Sequence, residues 1–227
     1  GGALALSKTG TGNQTLGGAS TFTGGTTVTG GTLAVTDNAA LGTGAVTING
    51  GTVNLTTTTV TNSVTLVNGS LLGGTVDIAT ALNAQAGTIS SVLSGVGSLS
   101  KTTDGALSLQ GNNTYQGGTT IAGGTVTLGS ATALGSGLTT LTGGTLVVTS
   151  LGDGLNASSL GKAALISTNL TIGGGTLRYV GAGETSARGF TATGAVTLDA
   201  SGAGDLVFTS AAKIAFADQT REKIWVF

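Results

Sequence analysis

Apolar residues alternate with small polar ones along almost the whole chain. Runs such as Thr32-Leu33-Ala34-Val35-Thr36, Ala45-Val46-Thr47-Ile48-Asn49, Thr52-Val53-Asn54-Leu55-Thr56, Thr75-Val76-Asp77-Ile78 and Ala195-Val196-Thr197-Leu198 send every second side chain to one face. A period of two marks a half-buried β-strand. The runs are short and are separated by Gly, Asn or Ser. No stretch carries the 3.6-residue apolar period of a helix, so the pattern predicts an all-β chain with essentially no helix. Pro is absent, in keeping with strands that are paired on both edges and must donate every N–H.

Set against itself without gaps, the sequence matches at an offset of 93 residues: positions 5–55 align with 98–148, and 23 of the 51 pairs are identical. Leu6-Ser7-Lys8-Thr9 returns as Leu99-Ser100-Lys101-Thr102, and Ala40-Leu41-Gly42 as Ala133-Leu134-Gly135. A return of 20 residues lies inside the long one: Gly30-Gly31-Thr32 recurs at Gly50-Gly51-Thr52, and Gly123-Gly124-Thr125 at Gly143-Gly144-Thr145. Periods of this size mark solenoids and arrays. Two architectures satisfy the local pattern. In a parallel β-helix each coil sets Leu33 beneath Val53 and Val126 beneath Leu146, with Gly turning the corners. In an antiparallel sandwich, Gly30-Gly31 closes a hairpin that pairs Val28 with Leu33. The 20-residue return favours the solenoid, which at that coil length has about eleven coils and a length of roughly 50 Å.

Composition narrows the partners. Asp, Glu, Lys and Arg make up 7% of the chain, while Gly (43) and Thr (44) dominate; an ordinary soluble domain has about 25% charged residues. Solubility then falls to hydroxyls and backbone, which works if Thr and Ser point outward from strands whose other face is buried. Regular alternation with 39% hydrophobic residues argues against disorder, which goes with apolar-poor, charge-rich chains. A formal charge of −1 with eight scattered Lys and Arg leaves no footprint for nucleic acid. No run approaches the ~18 apolar residues of a membrane span. Cys is absent, so there is no disulfide framework.

The second copy carries a specific signature. Gly97-Ser98-Leu99-Ser100-Lys101, Gly105-Ala106-Leu107-Ser108-Leu109, Gly111-Asn112-Asn113-Thr114-Tyr115-Gln116-Gly117-Gly118-Thr119-Thr120-Ile121 and Gly123-Gly124-Thr125-Val126 closely resemble the autotransporter-associated β-strand repeat of bacterial surface proteins. The first copy resembles it too, with Ser20-Thr21-Phe22 where the repeat has Asn-Thr-Tyr. The clear resemblance covers positions 5–55 and 88–148. It implies a right-handed parallel β-helix, here a single solenoid over 1–227, and a structural, adhesin-like passenger segment of a secreted or surface-anchored bacterial protein. The main rival is a self-assembling extracellular fibre. Both ends are expected to be cut within repeats: the chain opens on Gly1-Gly2-Ala3-Leu4 and closes on Lys223-Ile224-Trp225-Val226-Phe227, with neither end resembling a cap. The implied partners are a second copy or further chain at the coil ends, and a host or matrix surface.

Catalytic chemistry has little to draw on. His and Cys are absent, which removes the Ser-His and Cys-His nucleophiles and the ordinary zinc site. Polysaccharide-cleaving β-helices use carboxylates and Arg on one sheet face, and Asp153, Asp199, Asp205, Arg178 and Arg188 are the only loose candidates. Their bland reading, as solvated turn residues, outweighs the catalytic one: Asp153 lies in Gly152-Asp153-Gly154 and Asp205 follows Gly204. No catalytic residue, cofactor or metal is therefore expected, and the Gly-rich stretches lack the full spacing of nucleotide or calcium motifs. Asn-x-Ser/Thr triplets at Asn13, Asn54, Asn68, Asn112, Asn156 and Asn169 are expected by chance in so Thr-rich a chain. Asn112 and Asn113 read as turn residues or an inward amide stack, and Phe22 and Tyr115 as corner or core packing. Thr-x-Thr runs such as Thr27-Val28-Thr29 raise an ice-binding alternative, but their irregular spacing reads instead as Thr serving as an outward strand residue.

Overall fold

A computed structural model of the chain describes residues 3–152, 158–161, 167–209 and 214–216. Every strand pairing among them is parallel, and no α-helix occurs; the single helical element is the 3₁₀ turn Ser167–Asn169. The chain winds into a parallel β-helix of about ten turns. Leu33 is the register partner of Val53, and Val126 of Leu146. Val28 and Leu33 lie on the strands Thr26–Val28 and Thr32–Val35, which do not pair with each other but each pair in parallel with Val46–Asn54 in the next coil, so the hairpin and the sandwich are ruled out.

Two ladders run the length of the solenoid. The first climbs from Leu6–Lys8 through Thr26–Val28 and the opening residues of Val46–Asn54 to Phe190–Ala192 and Ile214–Phe216. The second climbs from Asn13–Leu16 through Thr32–Val35 to Thr176–Tyr179 and Thr197–Ala200. The third side forms a sheet only locally, from Thr59–Val60, Thr75–Asp77 and Val92–Ser94, and from Ala182–Ser186 with Gly204–Phe208. In the repeat copies that side is a one-turn bend instead, in which Leu41 and Leu134 point inward and are buried.

Alternation sets what is inside. Along the second ladder Leu33, Val53, Leu71, Ile89, Leu109 and Leu128 stack rung on rung, all buried. Each fully buried Leu, Ile or Val contributes about 1.5–3 kcal/mol relative to exposure, while the interleaved Thr and Ser keep the outer face wet.

Coil length varies. Thr27 to Thr47 is one coil of 20 residues, Thr47 to Thr65 one of 18, and Thr140 to Thr171 one of 31.

Candidate functional surface

The outward face of the first ladder presents one unbroken polar rank. Ser7, Thr27, Thr47, Thr65, Asn83, Ser100, Thr120, Thr140, Thr171 and Thr191 are successive register partners. Parallel pairing puts them about 4.8 Å apart, so hydroxyls and one carboxamide run along the rod in a single file, with the Thr191 hydroxyl at its end covered. Sequence spacing hid this rank because the intervening coils differ in length.

Beside the rank, two lysines sit where alternation would place a core residue. Lys8 is in register with Val28, and Lys101 with Ile121. Lys101 is fully buried. Its Nζ donates to the carbonyl oxygens of Thr103 and, at 3.1 Å, of Gly123 one coil further on. Lys8 repeats the arrangement, donating to Thr9 O at 2.8 Å and to Gly10 O and Gly30 O, each at 3.0 Å. Each lysine opens a wide four-residue corner, Thr9-Gly10-Thr11-Gly12 or Thr102-Thr103-Asp104-Gly105, in which the Thr9 and Gly10 carbonyls turn to the Lys8 ammonium and the Thr103 carbonyl to that of Lys101. Stacked on it is a tighter Gly-Gly corner. At Gly124, φ is +67 and an added Cβ would lie 2.6 Å from Lys101 Nζ, so glycine there supplies both the left-handed backbone and the room for the ammonium. Burial holds the Lys101 ammonium below the usual lysine range, with nearby Asp104 opposing the shift.

Aromatic residues of the two copies also correspond. Tyr115 is fully buried, and its hydroxyl is 2.6 Å from Thr119 Oγ1. Phe22 holds the equivalent place in the first copy. Asn113 is buried and links three coils, accepting from Leu93 N–H at 2.8 Å and donating to Ala133 O at 2.6 Å. It is a single inward amide rather than a stack, while Asn112 is exposed.

Of the candidate charged residues, the structure brings two together. Arg178 and Asp199 are register partners on adjacent rungs, with Nε and Oδ2 3.3 Å apart and both side chains substantially exposed. Asp205 is exposed on the third side, and Asp153 lies outside the described residues. Arg188 is not a solvated turn residue: it is 4% exposed, donating through Nε to Leu151 O at 2.8 Å and through Nη2 to Gly161 O at 3.2 Å. Together with Glu184 it clamps the long coil. The Glu184 carboxylate accepts from Ser150 Oγ, from Leu151 N–H at 2.9 Å and from Gly152 N–H at 2.6 Å, and Ser186 Oγ donates to Gly152 O at 2.5 Å. Nothing in the local sequence signalled this clamp, because its partners, backbone atoms apart from Ser150 Oγ, lie more than 25 residues away.

Of the Asn-x-Ser/Thr triplets, Asn13, Asn68 and Asn112 are exposed, and Asn54 and Asn169 are half-buried. Asn54 Oδ1 accepts from Thr56 N–H at 2.9 Å, and Asn156 lies outside the described residues. Among the described residues no three of His, Cys, Asp and Glu gather as metal ligands, and no helix is long and apolar enough to cross a membrane.

Comparison with known proteins finds the same two segments. Residues 6–35 and 99–128 each match the family model of the passenger-associated-transport-repeat. The adhesin BmaC autotransporter of Brucella suis biovar 1 (strain 1330) is 42% identical to this chain over 83 residues. That match covers 36% of this chain and 2% of the adhesin, so the chain corresponds to a small fraction of its relative's length. No solved structure matches the chain significantly. The two segments, each with an inward lysine and a Gly-Gly corner, match the passenger repeat of autotransporters, and in them the chain is similar to the autotransporter β-repeat proteins.

Proposed function

We propose that this chain is a non-enzymatic, adhesin-like passenger segment that acts outside the bacterial cell, in which the solenoid serves as a stiff spacer and its outward faces as a contact surface. The observation that carries this reading is the pair of ladders over one apolar core, faced outward by small hydroxyls. Such a body resists bending, because each coil is hydrogen-bonded to both neighbours along its length, and it presents a long regular surface with few charges. The relation to an autotransporter adhesin supports the extracellular setting. The exposed Arg178–Asp199 pair, on adjacent rungs of one ladder, has the form of a cross-strand surface contact rather than an acid and base facing a substrate.

The test is imaging and binding on cells that display the full parent protein, with and without residues 1–227. Individual stalks that shorten on deletion, with reduced attachment to host cells or matrix, support the proposal. Continuous filaments that vanish on deletion would instead make the chain a fibre subunit, associating through coil ends. Release of reducing sugar from polysaccharides by the purified chain, abolished by Asp199→Asn, would overturn the non-enzymatic reading.

A further inference from the structure

The corner at Asn68-Gly69 holds chemistry that the passenger role does not use. Gly69 has φ +108, and a Cβ there would strike the carbonyl oxygen of Gly51 in the coil before it, so glycine is the residue that fits. The Gly69 N–H donates to the carboxamide Oδ1 of Asn68 at 2.8 Å. Asn68 is exposed, and its register partner Asn49 is exposed as well and also precedes a positive-φ glycine, Gly50. The pair Asn49-Gly50 forms no corresponding bond. Two Asn-Gly corners thus stack in adjacent coils, and in one of them the backbone nitrogen is already held against the side-chain amide.

We propose that Asn68 is a site of spontaneous deamidation in the folded protein, favoured over Asn49 by this geometry. The Gly69 nitrogen gives up its proton to hydroxide and attacks Cγ of Asn68. The amide nitrogen takes a proton from water, regenerating hydroxide, the Cγ–Nδ2 bond breaks and ammonia leaves, completing a five-membered succinimide. Water opens the ring at either carbonyl. One opening leaves an ordinary aspartate; the other leaves an isoaspartate, in which the main chain runs through the side-chain carbon and is one atom longer. Both add a negative charge to a chain with few charges. The isoaspartate also lengthens a corner that is held tightly by Gly51 and Gly69. Hydrogen bonding by the Gly69 N–H polarises the Asn68 C=O and sets nucleophile and electrophile side by side, which is the condition for an intramolecular rate gain.

The purified chain, aged at mildly alkaline pH both folded and in urea, tests this. Peptide mapping by mass spectrometry reads the gain of one mass unit at each Asn, and isoaspartyl methyltransferase labelling reads the isoaspartate. In urea, Asn49 and Asn68 should react at like rates, since both precede Gly. In the folded chain Asn68 should react on the order of tenfold faster than Asn49, a small part of what near-attack positioning can supply. Asn68→Gln, which would have to close a six-membered ring, should abolish the signal at that position and leave Asn49 unchanged. Equal rates in the folded chain, a faster Asn49, or an Asn68 that stays intact would each overturn the proposal.

Discussion

The Tyr115 hydroxyl and Thr119 Oγ1 meet at 2.6 Å inside the solenoid, and the first copy lacks that bond because it has Phe22 in place of tyrosine. The consequence is visible in the partner: Thr26 is 1% exposed, and its Oγ1 has no hydrogen-bond partner. A buried hydroxyl left unpaired costs about 1–3 kcal/mol. Phe22→Tyr should therefore stabilise the chain by about 1 kcal/mol, and Tyr115→Phe should destabilise it by about the same, both read as shifts in the urea midpoint. The reverse pair of shifts would show that the two copies are not packed alike.

The same tyrosine gives a pH dependence with a definite sign. Burial pushes the Tyr115 phenol above its ordinary value of 10.0, the contact with Thr119 opposing the shift in part. The folded chain thus holds this proton more tightly than the unfolded chain. Its contribution is fully present below about pH 10 and is lost as the pH rises further. Tyr115→Phe should flatten the alkaline limb of a stability-against-pH curve.

Lys101 has the opposite sign. The folded chain binds its proton more weakly than the unfolded chain, so the site costs stability at neutral pH, and that cost fades as pH rises toward the ordinary lysine value of 10.5. Removing the side chain is nonetheless damaging, because it leaves a void and unsatisfied corner carbonyls: Lys101→Ala should cost about 3 kcal/mol. Lys8, half-buried in the first described coil, should cost about 1 kcal/mol on the same change. Equal losses, measured by chemical denaturation, would mean that burial does not distinguish the two sites.

The corner glycines separate into required and replaceable ones. Gly124→Ala meets a φ of +67, the carbonyl of Gly105, Thr103 O at 2.5 Å and the Lys101 ammonium, and should cost more than about 2 kcal/mol. Gly12 has no positive φ and nothing within 4 Å of an added Cβ. Gly12→Ala should be neutral or stabilising by up to about 1 kcal/mol.

Breaking the clamp on the long coil should be felt locally. Glu184→Ala removes the acceptor of the Leu151 and Gly152 N–H groups, so hydrogen exchange at those two amides should accelerate while that of Val53 and Leu71 stays unchanged. Arg188→Ala should cost about 3 kcal/mol, as loss of a buried charged donor to Leu151 O and Gly161 O.

Much of this fold was legible before any coordinates. The return of Gly-Gly-Thr placed Leu33 against Val53 because an inward side chain needs an inward neighbour one coil away. The phase of Leu99-Ser100-Lys101 also points Lys101 inward, although its charge argues for the surface; the wide corner that satisfies it is visible only in three dimensions. The 93-residue repeat is an imperfect guide to stacking. On the first ladder Ser7 does share a column with Ser100. On the second, the column of Leu33 passes through Leu109 and Leu128, two residues away from Val126, its match in sequence. The corner after Ala84 is shorter than the one after Lys101, and such slips in corner length also hid the hydroxyl rank. Arg188 was misread as a solvated turn residue because its acceptors are main-chain carbonyls, which leave no mark in a sequence.

Cysteine cross-linking tests the solenoid most directly, since the chain has no Cys of its own. Thr27 and Thr47 are outward register partners in adjacent coils, at a parallel-strand separation of about 4.8 Å that a disulfide can span. Thr27 and Ala34 would face each other only across an antiparallel hairpin at Gly30-Gly31. Under mild oxidation the double variant Thr27→Cys with Thr47→Cys should form an intramolecular disulfide, and Thr27→Cys with Ala34→Cys should not. A disulfide in the second variant and none in the first would contradict the parallel β-helix.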